Sequence, residues 1–469
     1  MNYLFDGLRK KLEFIVKRPE YVYLAIALTG VIGFVFITPP FQGPDEHTHY
    51  NRVQYIANGY FIPVNVEKSD ASLPYSIDQV AYKTFYSNDI RGGTNKKYDL
   101  HDTKDALNVP YSSDVQTKPV MVTYSPIPYL PAVPFVALSN LLNLSPLVSM
   151  YLARLALGIV SVLILFLAVR LIPYKKYFFA IVGLIPMMLF QQAVISADSI
   201  SYALLALFIA YVLHLRFSVA SIPTKKQWIY LGVLCLLITV AKPLIFLFLP
   251  LVLLLVKKKH AIRWILSIAA VCTALLAGWM LVSSAAAGAH NTVDTTPAEA
   301  NSSQQTQIIK ENPKRFLRVL WNSYMTPYGD DEVRGVIGVF GAADTIYPLW
   351  MFTIYAVLLG LFAIISNSKR AHMPKRWQLL TVGISILYFL AVNYALYTGY
   401  TPVNFDIIYG VQGRYFLPIV IASIIFCAGG VYVSKREFNK ILPRAFILVF
   451  ILIILALFIT AQRYYLYTP

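Results

Sequence analysis

Long apolar runs alternate with short polar turns through most of this chain. Runs near the roughly 20 residues that a helix needs to cross a bilayer recur at 21–38, 146–170, 177–194, 199–215, 227–241, 244–256, 264–284, 346–366, 378–397, 415–433 and 445–462. The pattern predicts an all-α polytopic membrane bundle of about eleven spans, one integral-membrane domain over 1–469. The run at 244–256 is short and follows Lys242-Pro243. Residues 126–142 are apolar but carry Pro126, Pro128, Pro131 and Pro134. They read as a re-entrant or interfacial helix, whose backbone protein or water must satisfy.

The turns between runs are unequal. Two are long, about 39–145 and about 285–345. The N-terminus and the short turns near 171–176 (with Arg170), 216–226, 257–263, 367–376 and 434–444 hold 23 of the 40 Lys and Arg. The positive-inside rule then places the N-terminus in the cytoplasm, the C-terminus outside, and both long loops on the extracytoplasmic face of the cell membrane. The basic N-terminus precedes an apolar run with no small-residue cleavage site after Thr38-Pro39-Pro40, so this run reads as a retained anchor.

Composition agrees with a bilayer setting. Hydrophobic residues make up 57% and charged residues 13%, against about 25% charged in soluble domains; the mean hydropathy is +0.59. The net charge of +17 comes in short runs between spans, so no nucleic-acid partner is expected. Cys235, Cys272 and Cys427 all lie in apolar runs, which speaks against a disulfide framework. Neither a Gly-rich phosphate loop nor a dinucleotide fingerprint is present, and the turns on the cytoplasmic side leave no room for a nucleotide-binding domain. Chemistry is therefore expected on the outer face. No internal repeat is visible, which weighs against transporters built from repeats.

The densest ionisable cluster there is Gly43-Pro44-Asp45-Glu46-His47-Thr48-His49-Tyr50-Asn51-Arg52, directly after the first span. On a helix Asp45, His49 and Arg52 fall within an arc of roughly 60°. Pro44-Asp45-Glu46 also suits an ordinary helix start; the alternative is a carboxylate poised as a general base at the membrane surface. His47 and His49, two residues apart, point to different sides of a helix, and no third metal ligand is identifiable. Asp198 lies in a tight outer turn, either as a cap or as a supporting group. Lys242 and Arg414, with Tyr415 beside it, are outer-face cations at span ends; they either anchor the interface or bind an anionic lipid head group. Gly329-Asp330-Asp331-Glu332 is a solvated turn or, with a divalent cation, a binding loop. No other cofactor is called for. Within 311–321, Phe316, Leu317, Val319 and Leu320 alternate with Lys314, Arg315 and Arg318, an amphipathic helix lying on the membrane or the bundle. The polar stretch 286–308 reads as mobile.

A first span followed by a large outer loop opening on an Asp-Glu pair, then many spans, resembles the GT-C superfamily of integral-membrane glycosyltransferases. Pro44-Asp45-Glu46 is similar to the His-Pro-Asp-Glu motif of its lipid-dependent mannosyltransferases, with Gly43 in place of the His. Pro44-Asp45-Glu46-x-x-His49-x-x-Arg52, Ala197-Asp198, Lys242-Pro243, Gly338-Val339-Phe340-Gly341 and Gln412-Gly413-Arg414-Tyr415 together resemble a bacterial polytopic membrane-protein family of unassigned function. The GT-C resemblance implies transfer of a sugar from a polyprenyl-phosphate donor to a cell-envelope glycan or lipid-linked glycan acceptor, on the extracytoplasmic side and with inversion. Asp45 would be the base and Glu46 a supporting carboxylate. His49, Arg52 and Asp198 would support them, and Lys242, Arg414 and Tyr415 would hold the donor phosphate. A polymerase or ligase of lipid-linked oligosaccharides and a non-enzymatic lipid-glycan transporter are the alternatives.

Overall fold

A computed structural model describes residues 18–62, 97–108, 124–219, 222–287, 300–325, 329–366 and 372–466. The described chain is nearly all helical. Helix α1 (Pro19–Ile37) leads into α2 (Glu46–Ala57), and α3 (Leu100–Leu107) and α4 (Val133–Leu141) precede α5 (Pro146–Leu171). Helices α6 (Lys176–Gly183) and α7 (Pro186–Ala193) are followed by α8 (Ala197–Phe217) and α9 (Lys225–Ala241). A 3-10 helix over Ile245–Leu255 joins α9 to α10 (Ala261–Ala287). The second long polar segment contains α11 (Ser302–Glu311), α12 (Pro313–Met325) and α13 (Gly329–Gly338). Then come α14 (Leu349–Ile364), α15 (Lys375–Gly399), a 3-10 turn at Gly413–Phe416, α16 (Leu417–Ala422), a second such turn at Ser423–Ala428, and α17 (Lys435–Tyr465).

Six described helices are long and apolar enough to cross a membrane: α1, α5, α8, α10, α15 and α17. The pair α6–α7, bent by 53°, makes a seventh if it counts as one span. The expected eleven are therefore six or seven by length. The other four apolar runs do form helix, but in pieces under 18 residues. Proline accounts for part of the shortening, because it lacks an N–H and restrains the residue before it. Pro186 breaks α6 from α7 with Ile185 extended at φ −53° and ψ 127°, and Pro250 sits inside the Ile245–Leu255 segment. Side-chain caps open two of the helices. Ser145 accepts from the Val148 N–H ahead of α5, and Thr224 with Gln227 forms a reciprocal capping box ahead of α9.

Helix α8 is the centre of the bundle, with 72% of its apolar window buried; α10 lies at the rim with 11%. Helix α8 packs on α5, α9 and the Ile245–Leu255 segment, and α1 packs on α5 and α7. Along α1, Gly30 faces Ile453 and Gly33 faces Leu457, where a Cβ would lie 2.5 Å from the Leu457 side chain. The contacts run in the same order on both helices, so α1 and α17 are parallel. Pro19 and Tyr465 consequently sit at opposite ends of the bundle.

The Tyr465 end gathers described residues from both long polar segments. Tyr98 N–H donates to the Tyr464 carbonyl at 2.6 Å, Lys97 donates to the Gln462 carbonyl at 3.1 Å, and Arg463 pairs with Asp344 at 2.8 Å. There too β1 (Val339–Phe340) pairs antiparallel with β2 (Thr345–Ile346), Val339 opposite Ile346. At the other end the basic turns close on neighbouring backbone: Lys175 donates to the Ala363 carbonyl at 2.7 Å, and Lys258 to that of Val219 at 2.7 Å. There β3 (Ile365–Ser366) pairs parallel with β4 (Val431–Tyr432).

Three loop expectations meet the structure. Residues 126–142 form a 3-10 turn, Ile127–Tyr129, and then α4. Part of 286–308, expected as mobile, is instead α11, capped by the Asn301 side chain, which accepts from Gln304 N–H at 3.0 Å; 288–299 lie outside the described residues. The amphipathic helix is α12. Val319 is buried with Tyr397 and Ile408, while Leu317, Trp321 and Met325 are exposed.

Candidate functional site

The site is built where α1 ends. Arg154, eight residues into α5, is fully buried and directs all five N–H groups at this corner. Its Nε donates to Glu46 Oε1 at 2.7 Å and its Nη2 to Glu46 Oε2 at 2.6 Å. The remaining donors reach the carbonyls of Val35 (3.0 Å), Thr38 (2.7 Å) and Pro39 (3.0 Å). Glu46 also accepts from the Ile195 N–H at 2.9 Å and the Gly43 N–H at 3.2 Å. The α1–α2 turn is thereby tied to α5 and to the chain just before α8. Gly43 suits this corner, since a Cβ would sit 2.9 Å from Val194.

Asp45 is the hinge of that turn. Its backbone is left-handed, φ 55° and ψ 19°, and its side chain makes no capping hydrogen bond to α2. An Asp in this region is strained by about 1 kcal/mol. The helix-start reading therefore holds for the backbone position and not for the carboxylate, which turns toward Arg414, 3.7 Å from Oδ2 to Nη2.

Four ionisable groups meet there, two carboxylates and two cations. Asp198 opens α8, and its Oδ2 lies 3.3 Å from Arg414 Nη1. Its Oδ1 accepts from Lys242, the residue that ends α9. Lys242 also donates to the Tyr202 hydroxyl at 3.2 Å, and its ammonium lies 5.1 Å from the ring centres of both Tyr202 and Tyr415. Arg414 further donates to Gln412 Oε1 (2.7 Å), Gln191 Oε1 (3.4 Å) and the Tyr415 hydroxyl (3.3 Å). Hydroxyls from two helices pin this segment: Tyr202 donates to the Arg414 carbonyl at 3.1 Å and Tyr388 to that of Tyr415 at 3.0 Å. Asp45 has a side chain 34% exposed, against 5% for Arg414 and 4% for Asp198. It is thus the carboxylate of the cluster most open to an incoming molecule.

His49, one turn past Asp45, is hydrogen-bonded through Nδ1 to the Tyr129 hydroxyl at 2.6 Å, with the Tyr124 ring 5.5 Å away. Burial pushes its imidazole down to about 4. Asp45 and Asp198 oppose that shift, and Arg414 and Lys242 add to it. It is neutral at neutral pH. Beside Arg414 a cavity of about 170 Å³ is lined by Pro44, Gln191, Glu332, Gly335 and Gln412 among others. Gly413 and Gly335 touch here: a Cβ on Gly413 would lie 2.2 Å from the Gly335 carbonyl carbon.

The fold thus brings together Asp45, His49, Asp198, Lys242, Arg414 and Tyr415. Two expected members are engaged elsewhere. Glu46, expected as a supporting carboxylate, has both oxygens turned to Arg154 and backbone N–H groups. Arg52 turns to the end of its own helix, donating to the carbonyls of Tyr60 (3.3 Å) and Phe61 (2.8 Å). The Asp330 and Asp331 side chains of the acidic turn lie outside the described ones. Among the described residues no group of three or more His, Cys, Asp or Glu is placed to hold a metal ion. Sequence reasoning missed Arg154, Gln191, Tyr124, Tyr129 and Tyr202. Arg154 had a readable signal, a lone cation well inside an apolar run; the others look like ordinary span and loop residues.

Helices of membrane-crossing length, with a polar cluster at their ends, define a multi-pass membrane protein in contact with lipid. The chain matches the family described as "Predicted membrane protein (DUF2142)" over residues 28–423, and it belongs to that family. Comparison with curated proteins and with solved structures returns no match.

Proposed function

We propose that this protein is a glycosyltransferase that moves a sugar from a polyprenyl-phosphate donor to a cell-envelope glycan at the extracytoplasmic membrane surface. The observation that carries this reading is Asp45, a partly exposed carboxylate in strained backbone, facing the buried Arg414–Asp198–Lys242 network. Asp45 takes the proton of an acceptor hydroxyl. The acceptor oxygen attacks the anomeric carbon and forms the new C–O bond. The bond from that carbon to the phosphate oxygen breaks, and polyprenyl phosphate leaves with the electron pair. Arg414 and Lys242 stabilise the negative charge that develops on it.

Both cations already face Asp198, so the four groups balance to zero charge. The 3.7 Å contact between Asp45 and Arg414 Nη2 is longer than that of Asp198 with either cation. Nη2 is therefore the nitrogen that a phosphate competes for most easily, and Asp198 keeps both cations aimed. The ionisable groups sit at helix ends, which favours surface chemistry over passage through the bilayer.

Purified protein in nanodiscs, given radiolabelled polyprenyl-phosphate sugars and glycan acceptor, tests this reading. Wild type is expected to consume the lipid-linked sugar. Asp45→Asn is expected to lose a factor of about 10²–10⁴ in rate with its melting temperature unchanged. Full transfer by Asp45→Asn refutes the base assignment. A wild type that consumes no lipid-linked sugar refutes the transferase.

A further inference from the structure

A second cavity lies away from the ionisable cluster, inside the apolar part of the bundle. It has a volume of about 290 Å³, and its walls include Cys235 of α9, Phe246, Leu249 and Leu253 of the 3-10 segment, and Ile268 and Cys272 of α10. We propose that this groove holds the hydrocarbon chain of the polyprenyl-phosphate donor, with the phosphate at the Arg414–Lys242 pair. The inference rests on the lipid-carrier reading above and assigns the donor's tail to a place.

Three observations support it. The first is alignment. Lys242 ends α9, and Cys235, seven residues earlier, lies about 10 Å farther along that helix. Phe246 starts the other wall four residues after Lys242. Two walls of the groove are thus carried by the elements that meet at Lys242, within the reach of one long-chain amphiphile whose head is at the ammonium. The second is backbone. Runs of 3-10 helix beyond three or four residues are uncommon, yet this wall is one of eleven residues with Pro250 inside it. Irregular backbone at membrane depth is tolerated where it lines a cavity or is buried in protein. The third is access. Helix α10, which supplies one wall of the groove, is the least buried of the six long spans, with 11% of its apolar window buried, so the groove lies at the lipid-facing rim of the bundle.

Photo-crosslinking in nanodiscs tests this without requiring turnover. The probe is a polyprenyl phosphate carrying a diazirine in its isoprenoid chain, with adducts mapped by mass spectrometry. Adducts are expected on 246–253 and 265–273, displaced at least about tenfold more effectively by unlabelled polyprenyl phosphate than by the matching polyprenol, because a charged head group is bound at the Arg414–Lys242 pair. Ala269→Trp and Leu253→Trp, which fill the groove from opposite walls, are each expected to lower these adducts at least about tenfold. Thermal melting shows which of the two variants is folded. Adducts confined to other segments, equal displacement by the polyprenol, or equal displacement by phosphatidylglycerol overturn the proposal. Groove adducts without sugar transfer leave the tail site standing and sink the transferase; Asp45-dependent transfer with adducts elsewhere does the reverse.

Discussion

Asp45 and Glu46 are adjacent carboxylates with opposite fates, and Arg154 separates them. Removing one partner of a buried ion pair leaves an uncompensated charge and costs about 3–5 kcal/mol. Arg154→Met is therefore expected to lower the melting temperature sharply and cut the yield of folded protein. The double variant Glu46→Gln with Arg154→Met, which removes both charges, is expected to regain most of that loss. A double variant no better than the single one refutes the pairing account. His49 makes a separate, pH-dependent prediction. Its folded imidazole titrates near 4, whereas an unfolded one titrates near 6.5. Between those values the unfolded chain binds a proton that the folded chain refuses, so stability rises with pH. The contribution is complete above about 6.5 and is lost as the pH falls towards 4. Melting curves from pH 7 to pH 4.5 are expected to show a smaller decline for His49→Gln than for wild type, and equal declines refute the assignment.

At the scale of elements, the site depends on how closely α13 meets the Gly413–Phe416 turn. Gly413 rests against the Gly335 and Glu332 backbone, where a Cβ would come within 2.3 Å of the Glu332 carbonyl oxygen. Backbone cannot swing aside as a long side chain does, so Gly413→Ala must separate the two elements. The expected result is a loss of transfer of about tenfold or more through displacement of Arg414, and Gly413→Ala with wild-type turnover refutes that coupling. The Gln412-Gly413-Arg414-Tyr415 string was legible as a motif, but its partner Gly335 was not, because no local pattern announces a contact made across dozens of residues. Long spans such as α5 and α8 were readable from hydropathy, since a bilayer demands an unbroken apolar run. The Ile245–Leu255 and Gly413–Ala428 segments are apolar as well, and there the helix type, with Pro250 and Pro418 inside, set the length actually formed. Lys242 read as a lone cation because Asp198, its partner, lies on a different helix.

For the whole molecule the decisive feature is that α1 and α17 run parallel, which puts the two ends of the described chain on opposite ends of the bundle. The Asp45 site lies beyond the C-terminal end of α1, and Lys97, Tyr98 and Asp344 bind the C-terminal turn of α17. The site, Lys97, Tyr98 and Asp344 from the two long polar segments, and the end of α17 therefore share one face, while turns carrying Lys175 and Lys258 close the other. Bilayers hold basic turns on the cytoplasmic side, so the site is expected to face outward, the side on which the proposed lipid-linked donor would be presented. Protease-cleavable tags fused separately to the two termini give the measurement. In intact cells the C-terminal tag is expected to be cut and the N-terminal tag protected, with the pattern reversed in inverted vesicles. Cleavage of both tags from the same side contradicts the parallel arrangement of α1 and α17. Cleavage on opposite sides but with the N-terminal tag outside keeps the fold and moves Asp45 to the cytoplasmic face, which would remove the reason for a lipid carrier and with it the proposed donor.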